Sequence, residues 1–225
     1  FSLLIFYGFN KKCCLIYEKF GYIYLWDILY IDNVLNKWNE GGIHMNDMTA
    51  SNLRSAFGGE SQAHMRYRIW AEKANKDGFP TVGRLFMATS DAEEVHATLH
   101  FKALKDQVGD FSVTSGAVFG YKTTSENLEG AIAGETFEYT QMYPAYIAVA
   151  EMQGEKEAVS AMKYAIEAEK IHAQLFTKAK EAVDSGKDLE AKGVYLCPIC
   201  GYISLTGDEE NCPLCNAKRE LFKEY

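Results

Sequence analysis

The sequence lacks several features that would place it in other classes of protein. It has no run of 18 apolar residues, so no membrane-spanning helix is expected. It has no basic stripe and a formal net charge of −8, which argues against a nucleic-acid-binding surface. A disulfide framework is not indicated either, because four of the six cysteines form two Cys-x-x-Cys pairs, the spacing of metal ligands in a reducing compartment. We therefore expect a cytoplasmic, metal-binding protein.

Residues 1–44 differ in composition from the rest of the chain. They contain 11 of the 30 aromatic residues and show neither helical periodicity nor capping signals. They also lack a starting Met, a basic n-region and a small-residue cleavage site, so a signal peptide is not predicted. Residues 39–45 can be encoded by a purine-rich run resembling a ribosome-binding site. We expect translation to start at Met45 or Met48 and residues 1–44 to be a translated upstream leader or disordered; the alternative is an aromatic extension that packs on the rest.

The strongest signal is a Glu-x-x-His motif that occurs twice on predicted helices. Glu169 and His172 share a helical face with apolar residues such as Phe176, so both point at a core. Glu93 and His96 repeat the arrangement. A buried carboxylate is costly unless it is paired or bound to a metal. A Glu and a His three residues apart on an inner helical face can bind one ion together.

Two further glutamates, Glu60 and Glu135, lie on apolar helical rows ahead of these motifs. Glu60 precedes Glu93 by 33 residues and Glu135 precedes Glu169 by 34, which indicates an internal duplication. This pattern is typical of di-iron or di-manganese carboxylate bundles, and Glu and His ligands suit either metal. In the predicted site Glu93 and Glu169 bridge the two metals. His96 and His172 each bind one metal, and Glu60 and Glu135 are terminal ligands.

Other residues near these positions are candidates for supporting roles. Glu138 lies three residues after Glu135 and shares its face, so it is a further candidate ligand. Tyr67 and Tyr143 could each donate a hydroxyl to a ligating carboxylate, with aromatic core packing as an equally open alternative. His100 can also face inward and is predicted to be a supporting or core residue.

Four helices are predicted in residues 45–186. They run from about residue 49 to 76, from 81 to 108, from 125 to 153 with Ser125 as the cap and a kink at Pro144, and from 155 to 184. Short turns join the first two helices and the last two. Residues 109–125 are rich in Gly, Ser and Thr and long enough to cross the bundle from end to end. Two hairpins joined by one long crossover form a ferritin-like four-helix bundle.

A second module is predicted at residues 194–225, after a linker at residues 187–193. It contains two knuckles formed by Cys197, Cys200, Cys212 and Cys215. About 30 residues with little apolar content cannot fold on a core alone, so a metal must hold them together. Four thiolates accept either a structural zinc or a redox-active iron, and the neighbouring dimetal site favours iron.

Several segments together resemble one known family. They are Phe57-Gly58-Gly59-Glu60-Ser61-Gln62-Ala63, Glu93-x-x-His96, residues 134–144, Glu169-x-x-His172 and the two Cys-Pro-x-Cys knuckles. Over residues 48–225 the chain resembles rubrerythrins. The resemblance implies a mainly α protein in which a ferritin-like bundle holds two non-haem irons and a small rubredoxin-like β module holds a third. It also matches Glu138 and His96 to the pair between which one iron moves as its oxidation state changes.

The resemblance further implies a peroxidase that reduces hydrogen peroxide to water in oxidative-stress defence. Electrons would come from a rubredoxin or an NAD(P)H-linked reductase and pass through the rubredoxin-type iron. It implies catalytic roles for Glu138, Tyr67 and Tyr143, and a homodimer in which one subunit's C-terminal module approaches the other's bundle. The alternatives are a ferroxidase or iron-handling protein, and an electron-transfer protein with a structural zinc site.

Overall fold

The computed structural model describes two units of the chain, Phe1–His44 and Met45–Tyr225. In the first unit it describes only two backbone segments, β1 (Phe6–Tyr7) and β2 (Cys13–Cys14), which pair antiparallel. In the second unit it describes residues 45–105 and 107–225. The hypotheses about a leader at residues 1–44 therefore lie outside the described residues.

The described residues of the second unit form five α-helices. These are α1 (Asp47–Lys76), α2 (Pro80–Ala103), α3 (Thr124–Phe137), α4 (Tyr143–Gln153) and α5 (Lys156–Asp184). A π-helical turn, Glu138–Met142, joins α3 to α4, so that these two helices form the third of four rods. No helix in the described part of the chain is long and apolar enough to span a membrane.

The segment between α2 and α3 runs lengthwise along α1. Side chains spaced along α1 donate hydrogen bonds to backbone carbonyls of this crossover segment: Ser55 to Thr114 at 3.1 Å, Gln62 to Gly116 at 3.4 Å and Trp70 to Gly120 at 2.9 Å. The chain thus returns to the end of the bundle where α1 finishes, and α3 begins there. The predicted pair of hairpins with one long crossover is confirmed.

Two helix boundaries differ from those predicted. α2 ends at Ala103 and not at residue 108, because Lys105 has a φ of 52°, a left-handed conformation that cannot continue a right-handed helix. α3 is capped by Thr123 and not by Ser125. The Thr123 side chain accepts the backbone N–H of Glu126, and the Glu126 carboxylate accepts the backbone N–H of Thr123, which is a capping box.

The kink predicted at Pro144 takes the form of a widened helical turn just before it. Proline has no N–H to donate, so the regular ladder of hydrogen bonds cannot continue through it. The N–H of Tyr143 instead bonds the carbonyl of Glu138, five residues earlier. The widened turn therefore begins at one of the predicted site residues.

The predicted ligands lie halfway along the rods, between two apolar clusters. Along α1, Leu53 belongs to one cluster and Tyr67 to the other, with Glu60 between them. Along α5, Met162 and Phe176 flank the Glu-x-x-His motif in the same way. The bundle therefore has apolar cores on both sides of a polar centre.

The C-terminal module is a small antiparallel sheet that packs on the bundle. Its strands are β3 (Tyr195–Leu196), β4 (Ile203–Ser204) and β5 (Lys223–Glu224), in the order β4-β3-β5. Val194, Leu196 and Ile203 are buried in the same apolar cluster as residues of α1, α2 and α5. The linker is also fixed, because the Asp188 carboxylate accepts the first N–H groups of α2, from Thr81 at 2.7 Å and Val82 at 3.2 Å.

Candidate metal centre

Every rod of the bundle places one glutamate at the same level of its interior. The polar side chains at this level are almost completely inaccessible to solvent: Glu60, Glu93, His96, Glu135, Glu169 and His172. The two Glu-x-x-His motifs lie on α2 and α5, and the single glutamates lie on α1 and α3. A level with this many buried polar groups requires partners for its charges.

The six side chains form two overlapping groups of potential ligands. In each group the four donor atoms lie within 4.8 Å of one another. Glu93 and Glu169 belong to both groups, as expected of residues that bridge two ions. The groups are Glu60, Glu93, His96 and Glu169, and Glu93, Glu135, Glu169 and His172. Each group thus offers an ion one histidine, one carboxylate of its own and two carboxylates that both groups share.

The hydrogen bonds of the two histidines show which nitrogen faces the centre. Nε2 of His96 lies 3.1 Å from the carbonyl of Cys200, and Nε2 of His172 lies 2.9 Å from the carbonyl of Gly201. A carbonyl only accepts, so Nε2 carries the hydrogen and Nδ1 has the lone pair. Both Nδ1 atoms lie 2.7 Å from oxygens of Glu169. Lone pairs this close require a proton or a cation between them.

The carboxylate oxygens also fit bound metal. Four buried oxygens have no hydrogen-bond partner among the described residues: Glu60 Oε2, Glu93 Oε1, Glu135 Oε2 and Glu169 Oε1. Each comes from a different rod, and none has a lysine or arginine as its ion-pair partner in the described residues. Unpartnered buried oxygens are costly, and divalent ions would remove that cost.

Burial shifts the proton affinities of these groups in opposite directions. Burial, reinforced by neighbouring carboxylates, raises the pKa of Glu93 and Glu169 well above the usual range. At Glu135 the effect of burial is outweighed by His172, whose Nδ1 lies 3.8 Å from Oε2, and by neighbours that include the Tyr67 hydroxyl, which lower its pKa. Burial lowers the pKa of His96. At His172 burial is outweighed by the Glu169 and Glu135 carboxylates, which raise the pKa to about 9. Without metal, protons therefore take the place of cations.

Two buried tyrosines support the terminal carboxylates. Tyr67 donates its hydroxyl to Glu135, and Tyr143 donates its hydroxyl to Glu60. The hydroxyl of Tyr143 is also 2.7 Å from Nε2 of His100. Burial, together with the nearby carboxylates, raises the pKa of both tyrosines well above the ordinary value, so both keep their hydrogens. The tyrosines thus orient the carboxylates as well as filling the core.

Glu138, the remaining predicted ligand, belongs to neither group of four. It begins the π-helical turn, and its residue is only partly buried. Burial of its carboxyl, with the Glu60, Glu135 and Glu169 carboxylates nearby, raises its pKa well above the usual range, and Arg66 opposes this shift. The structure therefore shows His96 within the centre and Glu138 beside it.

The four predicted cysteines converge in the C-terminal module. Sγ of Cys197 lies 3.5 Å from Sγ of Cys215, and Sγ of Cys200 lies 3.5 Å from Sγ of Cys212. Tetrahedral coordination with a metal–sulfur distance of about 2.3 Å requires a similar separation, about 3.8 Å. Hydrogen bonding by the Cys200 thiol lowers the pKa of Cys197 to about 5, so a thiolate is available.

The two candidate centres are in direct contact, which analysis of the sequence missed. The carbonyls that accept from His96 and His172 belong to Cys200 and Gly201, at the end of the first knuckle. Gly201 has a φ of +81°, and a Cβ atom there would overlap Nε2 of His96. A glycine after the second cysteine was the one local signal of this close approach. The structure shows the contact within a single chain, and the homodimer stays a prediction.

Comparison with known proteins identifies the family. A family model described as rubrerythrin matches residues 51–180. The chain belongs to the rubrerythrin family. Rubrerythrin-2 of Clostridium acetobutylicum is 49% identical over 180 residues, which cover 80% of this chain and 98% of that protein. Nigerythrin of Nitratidesulfovibrio vulgaris is 33% identical over 177 residues, which cover 79% of this chain and 86% of that protein.

A solved structure supports the same assignment. Nigerythrin in its fully reduced, all-ferrous state matches this structure with a TM-score of 0.71 and 31% identity, over 83% of this chain and 89% of that one. The ferritin-like fold with a rubredoxin-like module is therefore confirmed. The bundle of this rubrerythrin-family protein has a di-iron carboxylate–histidine site, and the module has a four-cysteine site for one iron or zinc ion.

Proposed function

We propose that this protein is a non-haem di-iron peroxidase that reduces hydrogen peroxide to water, with electrons relayed through the four-cysteine site. The observation that carries the proposal is the contact between the two centres. The first knuckle reaches His96 through the Cys200 carbonyl at 3.1 Å and His172 through the Gly201 carbonyl at 2.9 Å. A thiolate-bound electron carrier is thus one hydrogen bond away from the proposed ligands of both ions.

Peroxide suits such a centre because its reduction consumes two electrons and two protons and releases two water molecules. Two irons held by these residues would supply both electrons. The proposed ligands are the six buried side chains, with Glu93 and Glu169 shared, and Glu138 as a further ligand. The shared carboxylates would hold two ions near each other and offset their charge.

The protons must come from groups beside the centre. Glu138 is suited to this role when it is not bound to an ion, because burial and the neighbouring carboxylates raise its pKa and the residue is partly accessible to solvent. Tyr67 and Tyr143 hold Glu135 and Glu60 in place through their hydroxyls. We assign Glu138 to proton delivery and the two tyrosines to orienting the carboxylates.

Electrons would enter the module at the second knuckle. Cys197, Cys200 and Cys212 are buried, whereas Cys215 in the second knuckle is partly exposed. An external donor such as a rubredoxin or an NAD(P)H-linked reductase can reach that knuckle. The first knuckle then passes electrons singly to the bundle. A role in oxidative-stress defence follows from the substrate.

The test compares substrates in the iron-loaded, full-length protein. We expect hydrogen peroxide to oxidise the reduced protein faster than oxygen does, and free Fe(II) not to be consumed. Cys197→Ser should keep a single turnover in the bundle but lose turnover linked to NADH and a reductase. Full reductase-linked turnover by Cys197→Ser would disprove the relay, and preferential oxidation of free Fe(II) would favour a ferroxidase.

Metal analysis tests the non-enzymatic alternative. An electron-transfer protein with a structural zinc needs no redox metal at the four cysteines. We expect iron there in protein purified without oxygen, and two further irons in the bundle. Zinc at the four cysteines in natively expressed protein would contradict the relay.

A further inference from the structure

The last residue of the chain is bonded to the bundle. The Tyr225 hydroxyl donates to Oδ2 of Asp91 at 2.6 Å, and Nζ of Lys223 donates to the same oxygen. Nη1 of Arg68, on α1, lies 3.7 Å from Oδ1 of Asp91. The Asp91 side chain is 15% exposed, and its bond with Tyr225 is partly buried, whereas the side chains of Lys223 and Arg68 are 58% and 46% exposed. One aspartate on α2 thus binds two side chains from the end of the C-terminal module.

These contacts lie close to both centres along the chain. Asp91 is on α2, two residues before Glu93 of the Glu-x-x-His motif. Lys223 in β5 pairs with Leu196 in β3, and Leu196 directly precedes Cys197. The backbone N–H of Tyr225 bonds the carbonyl of Val194 at 3.0 Å. The Asp91 contacts therefore join the helix that carries His96 to the strand that leads into the first knuckle.

A metal-binding role explains these contacts less well. His64, Asp91 and Glu94 have potential ligand atoms within 4.8 Å of one another. Oδ2 of Asp91, however, already accepts from an ammonium and a phenol, and Glu94 is exposed. The charge of Asp91 is thus balanced by the C-terminal strand. Its geometry is that of an anchor for this strand.

We propose that Asp91 is a positioning residue for electron transfer: it anchors the C-terminal strand so that the first knuckle stays on His96 and His172. Apolar packing of Val194, Leu196 and Ile203 also holds the module on the bundle. Among the described residues, its polar attachments are the Asp188 cap on α2, the histidine–carbonyl bonds and the Asp91 contacts, and only the last of these reach the β5 strand. This inference rests on the proposed relay, since the anchor matters for function only if electrons cross the contact.

The experiment compares Asp91→Ala with Asp208→Ala in the full-length, iron-loaded protein. Asp208 also forms an ion pair with a lysine, Lys192 of the linker, but this pair lies in solvent and involves no residue of the helices, so its loss should not release the sheet. The first readout is amide hydrogen exchange in residues 194–196 and 223–225. Because each hydrogen bond to a charged group changes an equilibrium about tenfold, we expect exchange at least tenfold faster in Asp91→Ala. Asp208→Ala should match the unmodified protein.

The second readout separates the two centres after reduced protein is mixed with peroxide. Oxidation in the bundle should be unchanged in Asp91→Ala, and oxidation of the four-cysteine iron should be several-fold slower. Tyr225→Phe keeps the ring and removes one hydrogen bond, so it should show a smaller change in both readouts.

The outcomes distinguish the anchor from the relay. Faster exchange with unchanged oxidation of the four-cysteine iron would overturn the positioning role, as would unchanged exchange. If peroxide never oxidises the four-cysteine iron in the unmodified protein, the relay is wrong, and the exchange data alone then show whether Asp91 anchors the strand.

Discussion

The bundle centre and the four-cysteine centre are built in opposite ways. The bundle draws its ligands from four rods, between residues 60 and 172, and packs an apolar cluster on either side of them. The module draws its ligands from two knuckles between residues 197 and 215, and its own apolar cluster includes the cysteines themselves. The bundle can thus fold around a costly centre, whereas we expect the two knuckles of the module to depend on their metal, even though its sheet also packs on the bundle.

Loss of one thiolate should give the largest effect, confined to the module. Structural four-ligand metal sites contribute about 10 kcal/mol or more to folding, so Cys212→Ser should unfold the module and leave the helices intact. Circular dichroism and amide exchange measure the two regions separately. Ile199→Ala, an exposed change in the first knuckle, is the control. If the amides of the module stay protected from exchange in Cys212→Ser, the module does not depend on its metal more than the bundle does.

Loss of a bundle ligand should instead change the metal content without unfolding the bundle. Glu169→Gln keeps the size of the side chain and removes a buried carboxyl that the metal-free fold must keep protonated, so the metal-free variant should unfold at the same or a higher temperature than metal-free unmodified protein. With Fe(II) present, the variant should unfold at a lower temperature than the unmodified protein, because it binds less iron. Metal counting and thermal unfolding test this, with exposed Glu167→Gln as control. Marked destabilisation of the metal-free variant would contradict it.

The pH dependence of thermal stability should also differ between the metal-free and the metal-loaded bundle. Glu93 and Glu169 have raised pKa values in the metal-free fold, so the folded protein holds their protons more tightly than the unfolded chain does. Their contribution to the free energy of unfolding is therefore complete below about pH 4.3, the ordinary pKa of glutamate, and is lost as the pH rises through the raised values. Bound metal replaces those protons. The metal-induced increase in Tm should therefore be larger at about pH 7.5 than at about pH 5.5. Equal increases would show that the ligands are ionised without metal.

A smaller effect is expected where the two regions meet. Gly201→Ala places a methyl group against His96 and strains a left-handed residue, at a cost of about 1 kcal/mol for the backbone alone. We expect slower oxidation of the four-cysteine iron by peroxide, with both metal contents unchanged. Gly186→Ala is the matched control, because it has a φ of +74° and open space around its Cα. Equal rates in the two variants would show that the close contact is irrelevant to electron transfer.

Most of the bundle could be predicted because local periodicity determined it. A glutamate on an apolar helical row must face the core, and four such rows at repeated spacing leave few arrangements other than a shared centre. The cysteine spacing likewise indicated a metal site without any tertiary information. Glu138 was expected at the centre on the same helical reasoning. The structure shows it beside the two groups of ligands, on a widened turn.

The contacts between the regions could not be predicted, because no local pattern encodes them. The bonds from His96 and His172 to the knuckle carbonyls depend on how the module docks. The Asp91 contact with Tyr225 joins residues separated by most of the second unit. The early end of α2 depends on one backbone conformation at Lys105, which lysine rarely adopts. The spacing of side chains along the sequence thus predicts the two centres, whereas the contact between them depends on how the module docks on the bundle.

The most direct test of the account is a single turnover of fully reduced protein with one equivalent of hydrogen peroxide, without oxygen or an external donor. Absorption by the four-cysteine iron and oxidation of the bundle are recorded together. The account predicts that the bundle is oxidised first and that the four-cysteine iron follows within the same turnover. Oxidation of the bundle while the four-cysteine iron stays reduced, although both sites contain iron, would contradict it.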